Sequence, residues 1–185
     1  MKILLKNVRL SFPSLFEKSK YDANDPDDKA KYRAVFLIPK TDVETVTLIN
    51  NAIKDAMGEK YHAKRVNIPK HNWCLQDGDE RDYDGYRGNW SLSTSNNRRP
   101  TVINRDKSPI IESDEIIYAG CYVNASVGIW ILDINNNRRV CCNLHGVQFV
   151  RNGSPFGAGD VDSLEDFEAL DALTSEIDTY EDVPF

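Results

Sequence analysis

The clearest fold signal is the stretch IIYAGCYVNASVGIWILDI at 116–134, followed by NNN at 135–137 and RRVCCNLHGVQFVR at 138–151. The first segment is rich in Ile, Val and aromatic residues, the second contains Val, Cys and Phe, and the asparagines between them are typical of a tight turn. Gly120 and Gly128 mark positions where a long strand bends or bulges. The stretch therefore predicts an antiparallel hairpin built from long, glycine-kinked strands.

More strand-like segments precede this hairpin. Residues 2–10 show mixed alternation, residues 31–39 show a period-two pattern, and residues 90–97 and 100–106 also have strand character. The segment 12–31 is polar and contains Asp and Pro clusters, which predicts a long exposed loop. Several strands with few helices predict a mainly β fold, a small closed or nearly closed antiparallel barrel.

One helix is predicted in the body of the chain, starting at Thr41. Thr41 and Glu44 have the spacing of a capping box, and Gly58 is expected to end the helix. Apolar residues at helical spacing form its buried stripe: Val46, Ile49, Ala52, Ile53, Ala56 and Met57. A second, short amphipathic helix could follow Ser163, so one or two helices are expected.

Charge is distributed unevenly along the 185 residues, although the net charge is only −6. Residues 160–185 contain ten acidic residues and no Lys or Arg, which leaves residues 1–159 with a net charge of +4. The segment NGSPFGAGD at 152–160 has the composition of a flexible linker. We therefore expect a folded domain at 1–152 and a flexible acidic tail at 153–185, an asymmetry that points to nucleic acid and protein partners.

Several classes of protein are excluded by what the sequence lacks. No run of eighteen apolar residues exists, and charged residues interrupt the N-terminus, so neither a membrane span nor a secretion signal is expected. The four cysteines form no CxxC pair, which is typical of a reducing cytosol. Phosphate-binding loops, dinucleotide fingerprints and hydrolase motifs are absent, so we expect neither an enzyme nor a cofactor.

Two sets of residues resemble metal ligands without matching a known site. The acidic loop at 77–84 holds five carboxylates, but their spacing is not that of an EF-hand, and a solvated loop is the simpler interpretation. Cys142 and His145 are three residues apart, and within a strand such positions point to opposite faces. We expect buried cysteines in a barrel wall and no bound metal.

The middle of the chain interleaves aromatic and basic residues. Unpaired bases stack on flat side chains while cations neutralise the phosphates, so this pattern predicts a surface for single-stranded nucleic acid. Tyr83 and Tyr86, flanked by Asp, Gly and Arg, are expected at the surface. The predicted DNA-binding residues are Tyr61, Lys64, Arg65, Trp73, Tyr83, Tyr86, Arg87, Trp90, Arg98, Arg99, Arg105 and Lys107.

The acidic tail suggests two further roles. A polyanion joined to a mildly basic body can compete with DNA phosphates for the same groove. The tail ends in Glu181, Asp182, Val183, Pro184 and Phe185. A terminal Phe behind acidic residues has the properties of a docking peptide, because its ring can fill a pocket while the carboxylates meet basic residues.

The ending EDVPF resembles the acidic tip of bacterial single-stranded-DNA-binding proteins, which recruits replication, recombination and repair enzymes. The body resembles a phage-encoded family of single-stranded-DNA-binding proteins with an OB fold. Three stretches carry this resemblance: KNVRLSFPSLF at 6–16, DGDERDYDGYRGNW at 77–90 and NLHGVQFVRNGSPFGAG at 143–159. Val183, in place of Ile, and the interruption at Thr179 and Tyr180 are departures from the bacterial tip.

The resemblance implies an OB-like barrel that binds single-stranded DNA without sequence preference. It further implies a role in phage DNA replication, recombination or repair in the host cytoplasm, with phage or host proteins recruited by the tip. Homo-oligomer formation stays open at this point. So do two other functions, a metal-dependent nuclease using the loop at 77–84 and a protein-binding module whose acidic tail mimics DNA.

Overall fold

A computed structural model of the protein describes residues 1–62 and 64–157. In these residues one α-helix and seven strands are present. The strands and the helix are β1 (Lys2–Ser19), β2 (Lys31–Pro39), α1 (Val43–Tyr61), β3 (Leu75–Asp77), β4 (Asn89–Asn96), β5 (Thr101–Ile103), β6 (Tyr122–Ile134) and β7 (Asn137–Arg151).

Five of the strands close into a barrel. The sheet runs in the order β3-β4-β2-β1-β6-β7-β5, and an additional parallel pairing of β4 with β7, at Ser95 and Asn143, joins its two ends. The closed ring is therefore β1-β2-β4-β7-β6, with the three-residue strands β3 and β5 beside it. The predicted mainly β barrel with an OB-like fold is confirmed.

The predicted hairpin is also confirmed, as β6 and β7. The turn consists of Asn135 and Asn136, whose φ values of 50° and 63° are the left-handed values that a two-residue type I′ turn requires. His145 is the extra residue of a β-bulge in β7. Gly128 faces it on β6, where an added Cβ would lie 2.7 Å from His145 Nε2. Gly128 thus makes room for the imidazole, while Gly120 lies before β6.

The expectation of an exposed loop at 12–31 is wrong for its first eight residues. β1 continues to Ser19 because it pairs with β2 beyond Pro13, through Ser14 with Arg33. The strand passes Pro13 by means of a bulge, in which Phe12 has a φ of 45°. Residues 20–30 form the connection to β2.

α1 differs from its prediction at both ends. Asp42 is the N-cap, and its carboxylate accepts a 3.1 Å hydrogen bond from the N–H of Thr45. Gly58 lies inside the helix, and the end comes at His62, which has a left-handed φ of 47°. The buried stripe is as predicted at its centre: Ile49, Ala52, Ile53 and Ala56 pack against the barrel beside β6 and β1.

Cysteines contribute to this core as free thiols. Cys74, Cys121 and Cys142 are buried and Cys141 is half-buried. Cys142 points into the barrel while His145 lies on its outer side, so the predicted separation of these two side chains is confirmed. In the described part of the chain no three Cys, His, Asp or Glu side chains are grouped as metal ligands would be.

No described helix combines the length and the apolar character needed to cross a membrane.

Candidate nucleic-acid interface

A groove of about 520 Å³ runs over β1, β2 and β4. It combines aromatic rings, cations and hydroxyl groups, and the described residues that line it include no carboxylate. The lining residues are Phe12, Pro13, Ser14, Ser19, Lys20, Tyr21, Arg33, Ala34, Val35, Arg81, Tyr83, Tyr86, Ser91, Ser93 and Thr94.

Three rings meet at one end of the groove. The ring of Tyr83 lies 5.1 Å from that of Phe12 and 5.2 Å from that of Tyr86, both in edge-to-face geometry. Phe12 and Tyr83 are 56% and 51% exposed, whereas Tyr86 is almost fully buried. Tyr86 therefore supports two exposed rings from below.

The prediction that Tyr86 is a surface residue is wrong. Its hydroxyl lies 3.2 Å from the hydroxyl of Ser11, within hydrogen-bonding distance, so its polar atom has a partner inside the protein. Burial raises the pKa of the Tyr86 phenol above its usual value, and the hydrogen bond with Ser11 opposes this shift. The ring is covered by Phe12, which comes from a segment distant in sequence.

Tyr21 and Arg33 form a second flat surface elsewhere in the groove. The guanidinium carbon of Arg33 lies 3.8 Å from the centre of the Tyr21 ring, and Tyr21 is 79% exposed. Arg33 also donates hydrogen bonds to the carbonyl oxygens of Ser19 and Lys29, at 3.2 and 3.3 Å. Arg33 thus holds the ends of the β1–β2 connection and supports the Tyr21 ring.

The floor between these rings is formed by β2 and β4. Val35 pairs with Ser93, and the hydroxyl of the buried Thr94 donates a 2.8 Å hydrogen bond to the carbonyl of Ala34. Thr94 is thereby satisfied within the sheet. The half-buried Ser93 carries a hydroxyl in the groove lining, on a rigid pair of strands.

The acidic loop at 77–84 lies near the groove but is engaged in structural contacts. Lys40 Nζ lies 2.5 Å from a carboxylate oxygen of Asp77 and 2.5 Å from one of Asp79. Lys40 lowers the pKa of Asp77, and the backbone N–H of Gly88 together with Lys40 lowers the pKa of Asp79. These carboxylates neutralise a lysine instead of forming a cation site.

Only two of the twelve residues predicted from sequence, Tyr83 and Tyr86, line the groove. The other three predicted rings, Tyr61, Trp73 and Trp90, pack against the core. Tyr61 is the last residue of α1, and the indole N–H of Trp73 donates a 2.9 Å hydrogen bond to a backbone carbonyl.

The predicted cations are exposed but lie outside the groove lining. Arg99 stands over Phe16 at 5.9 Å, and Arg105 donates a 2.8 Å hydrogen bond to the carbonyl of Val150. These cations, spread over several loops, are Lys64, Arg65, Arg87, Arg98, Arg99, Arg105 and Lys107.

Four other groove residues were not among those predicted from the sequence: Phe12, Lys20, Tyr21 and Arg33. All four lie within or next to the segment 12–31, which was predicted to be an exposed loop. Their alternation of rings and cations was therefore not interpreted as a DNA-binding pattern. The same interleaving that pointed to the middle of the chain is present here, and it could have identified this second segment.

Residues 152–157, which join the barrel to the acidic tail, lie against the loop that carries Tyr83. The Phe156 ring fills the space beside Gly85, where an added Cβ would lie 2.4 Å from the ring. The N–H of Gly157 donates a 3.0 Å hydrogen bond to a carboxylate oxygen of Asp84. The start of the predicted tail is thus attached near the groove. The predicted second helix and the predicted tip at 181–185 lie outside the described residues.

Comparison with known proteins places this geometry in a family. The model of the family described as Enterobacter phage Enc34, ssDNA-binding protein, matches residues 1–179. The protein p50 of Acyrthosiphon pisum secondary endosymbiont phage 1 is 44% identical over 184 residues, which covers 95% of this chain and 97% of p50.

Two solved structures are similar in fold. The single-stranded DNA-binding protein from bacteriophage Enc34, in complex with ssDNA, has a TM-score of 0.72 at 24% identity and covers 84% of this chain and 89% of its own. The single-stranded DNA-binding protein gp2.5 of bacteriophage T7 has a TM-score of 0.57 at 14% identity and covers 95% of this chain and all of its own. The resemblance of the body to a phage-encoded family of single-stranded-DNA-binding proteins is confirmed: the chain belongs to the family of the Enterobacter phage Enc34 ssDNA-binding protein, a family of binding proteins and not of enzymes.

Proposed function

We propose that this protein binds single-stranded DNA, without sequence preference, in the groove over β1, β2 and β4. The observation that carries the proposal is the composition of that groove. Exposed rings and cations line it, and the described lining residues include no carboxylate that would repel phosphate. The second and third strands of the closed barrel are β2 and β4, and this is the face on which OB folds bind oligonucleotides.

The rings favour single strands over duplexes. Phe12, Tyr83 and Tyr21 offer partly free faces, and a base can stack on such a face only when its own face is uncovered. Every base has such a face, so stacking discriminates little among sequences. Arg33 and Arg81 lie in the same groove and can neutralise the backbone of a bound strand, whereas Lys20 is paired with Asp27 at 2.5 Å.

The predicted cations outside the groove would act at longer range. Arg98 and Arg99 follow β4 and are exposed, as are Lys64, Arg65 and Arg87. Their charges would attract DNA to the barrel and raise the salt dependence of binding without holding particular bases. Arg105 and Lys107, after β5, would contribute in the same way.

The test is titration of a fluorescently labelled oligonucleotide with the wild-type protein and with Phe12→Ala. Loss of one stacking ring should weaken binding by about 1 to 3 kcal/mol. The matched control is Ile111→Ala, which removes an equally exposed apolar side chain, 56% exposed, outside the groove. Equal affinities for both variants and the wild type would show that the groove does not hold DNA.

The nuclease alternative depends on the loop at 77–84. Asp77 and Asp79 are paired with Lys40, and Asp84 accepts a hydrogen bond from the N–H of Gly157. Incubation of a single-stranded oligonucleotide with the protein and Mg²⁺ tests this alternative directly. Intact oligonucleotide is the expected result, whereas cleavage products that disappear in Asp77→Asn would favour the nuclease.

We further propose that the chain is divided into a DNA-binding domain at 1–152 and an acidic tail at 153–185, and that the tail competes with DNA. Removing residues 160–185 changes the net charge from −6 to +4. The truncated protein should bind single strands more tightly at low salt, and the difference should shrink as salt is added. Equal or weaker binding by the truncated form at low salt would contradict competition. A protein that binds no single strands with or without its tail would support the DNA-mimic module instead.

Residues Glu181, Asp182, Val183, Pro184 and Phe185 are proposed to dock on phage or host proteins of replication, recombination or repair in the host cytoplasm. Removing Phe185 alone leaves all ten acids of the tail in place. Binding to partners from host extract should fall sharply because an aromatic anchor carries much of the energy of a small interface. DNA affinity should stay the same, and retained partner binding would mean that the tail acts only as a polyanion.

A further inference from the structure

Trp130 lies on the outer surface of the barrel wall. Its neighbours on β6, Ile129 and Ile131, are buried in the core, whereas Trp130 is 40% exposed. Its indole Nε1 donates a 3.0 Å hydrogen bond to Asn143 Oδ1 on β7. This bond satisfies the one donor of the side chain and orients the ring, so its exposed part is a fixed, flat apolar surface.

A polar path connects this ring to the groove. Ser93 lines the groove on β4, and Ser95 is the next position on the same side of the strand. Ser95 pairs with Asn143 where the barrel closes, and Asn143 holds Trp130. Neighbouring strands lie about 4.8 Å apart, so β6 is about 10 Å from β4 across this closure.

Basic residues lie on the strands next to Trp130. Trp130 pairs with Cys141 across β6 and β7. Burial raises the pKa of the Cys141 thiol, and Arg139 and Lys31 lie close enough for their charges to oppose that shift. Lys2 lies on β1, the neighbour of β6 on its other side. Basic residues therefore lie on β7 and on β1, the two strands that flank Trp130 on β6.

β6 and β7 place no carboxylate on this outer surface. Asp133 is the one acidic residue of these two strands. Its carboxylate accepts hydrogen bonds from the hydroxyl of Tyr61, at 2.9 Å, and from Nε of Arg138, at 3.2 Å. Tyr61 belongs to α1, so Asp133 is directed to the helix side of the wall and not to the outer side.

We propose that Trp130 is an additional stacking site, which takes one base of a single strand as the strand leaves the groove over Ser95 and Asn143. Arg139 and Lys31 contact the phosphates beside that base. The inference rests on the proposed function, because it extends the path of DNA bound in the groove. It lengthens the segment of strand that one protein molecule covers.

A protein partner is the competing occupant of this surface. Leu132 and the 60% exposed Ile134 continue the outer side of β6 toward the hairpin turn, and apolar side chains of this kind suit protein contacts. The position of Trp130 itself favours DNA. It lies on the strand next to β7, which closes the barrel with β4, basic residues lie on the two strands that flank it, and a polar path leads from it to the groove.

The experiment compares two oligonucleotides, of about 4 and about 12 nucleotides, chosen within the range of site sizes known for OB folds. Each is titrated with the wild-type protein, Trp130→Leu, Trp130→Phe and Phe12→Ala. Trp130→Leu keeps an apolar side chain but removes the flat ring, so it should weaken binding of the long oligonucleotide about five-fold or more. The short oligonucleotide should bind Trp130→Leu and the wild-type protein with the same affinity. Trp130→Phe should lose less affinity for the long oligonucleotide than Trp130→Leu does.

Intrinsic fluorescence gives a second measurement that does not depend on affinity. The chain has three tryptophans, and Trp73 and Trp90 pack against the core. The long oligonucleotide should quench the wild-type protein more strongly than Trp130→Phe, because a stacked base quenches the indole. Equal quenching of the two proteins would overturn the proposal, even if Trp130→Leu proved unstable.

The remaining outcomes separate this inference from the proposed function. If Phe12→Ala weakens the binding of both oligonucleotides while Trp130→Leu weakens the binding of neither, the groove binds DNA and the inference about Trp130 is wrong. The inference about Trp130 would also be overturned if Trp130→Leu weakened the binding of the short and the long oligonucleotide equally. If neither variant changes DNA binding, the proposed function itself fails. Loss of self-association or of partner binding by Trp130→Leu, with both DNA affinities intact, would identify a protein interface instead.

Discussion

The aromatic rings that line the groove and those that pack against the core differ in role, although both kinds have basic residues nearby. Arg33 lies 3.8 Å from the ring of Tyr21 in the groove, and Lys70 lies 3.4 Å from the ring of Trp73, which packs against the core. Both are cation–aromatic pairs. What distinguishes them is exposure of the ring: Tyr21 is 79% exposed, while Trp73 is half-buried and bonded to the backbone through its indole N–H.

A ring beside a cation is therefore not by itself a DNA-binding signal. A cation can cover a core ring at the edge of the barrel and protect it from water. The same pair becomes a stacking surface only when the free face of the ring points outward. Substitution of individual residues can test this division of roles.

Replacing a core ring should cost the most stability. Trp73→Ala is expected to lower the free energy of unfolding by about 3 kcal/mol, since it leaves a cavity under the barrel surface and removes a hydrogen bond. Urea unfolding measures this loss, and Trp73→Phe, which keeps most of the contact, should lose less. Oligonucleotide affinity of the folded protein should not change. Weakened DNA binding by a fully stable Trp73→Ala protein would break the division of roles.

Replacing an exposed ring should have the opposite profile. Tyr83→Ala is expected to weaken oligonucleotide binding by about 1 to 3 kcal/mol. Its unfolding free energy should change by only about 0.5 kcal/mol, as is usual for a surface substitution. Tyr83→Phe is the matched control, because it keeps the ring and should keep the affinity. A strong loss of stability without loss of binding would show that Tyr83 belongs with the core rings.

Tyr86 lies between the two classes, since it is buried but supports exposed rings. Tyr86→Phe retains the ring and removes the hydroxyl that contacts Ser11, so the protein should lose about 1 kcal/mol of stability. Oligonucleotide affinity should remain close to that of the wild type, because Phe12 and Tyr83 are still supported. Calorimetry or urea unfolding measures the first effect. A loss of affinity larger than the loss of stability would assign the Tyr86 hydroxyl to the DNA site.

The smallest effect concerns Lys40, whose Nζ lies 5.3 Å from the Trp90 ring and pairs with Asp77 and Asp79. The pKa values of both carboxyls are lowered in the folded protein, so their stabilising contribution is present above the ordinary value of 3.8 and is lost as the pH falls through the folded values. The raised pKa of Lys40 acts at the other extreme, where stability is lost above 10.5.

Melting temperatures measured between pH 7 and pH 2 should therefore fall less steeply below pH 4 in Lys40→Met than in the wild type. Asp79 is exposed and Lys40 and Asp77 are about one-third exposed, so the difference should be small and should shrink with added salt. An identical acid profile in the two proteins would mean that the Lys40 pairs contribute nothing measurable. DNA binding at neutral pH should be the same in both.

Local signals in the sequence predicted much of the fold. Asn135 and Asn136 tolerate the left-handed backbone of their turn, so the hairpin could be recognised from a few adjacent residues. The end of β1 could not be recognised in this way, because its second half is a strand only through pairing with β2, as between Ser14 and Arg33. Phe12 favours a strand, but Pro13 is depleted in strands, so propensity gives no clear signal that β1 continues here.

The candidate site was harder to predict for a related reason. The Tyr86 ring contacts Phe12, 74 positions away, and its hydroxyl contacts Ser11, so the burial of Tyr86 could not be predicted from the residues around it. Trp90 and Tyr83 look alike in sequence, yet one packs against the core and the other is half exposed. Local composition indicated the chemistry of the site, while the register of the sheet decided which rings take part.

The pairing of β1 has a consequence for the time at which the protein becomes foldable during translation. Lys2 pairs with Gly128, so one edge of β1 stays uncovered until about 126 further residues have been synthesised. At about 5 to 20 residues per second this takes roughly 6 to 25 s. An uncovered strand edge invites pairing with other chains, and lysines on such a strand oppose it. Lys2, Lys6 and Arg9 interrupt the apolar N-terminal strand, so the nascent chain carries its own protection against aggregation until β6 emerges from the ribosome.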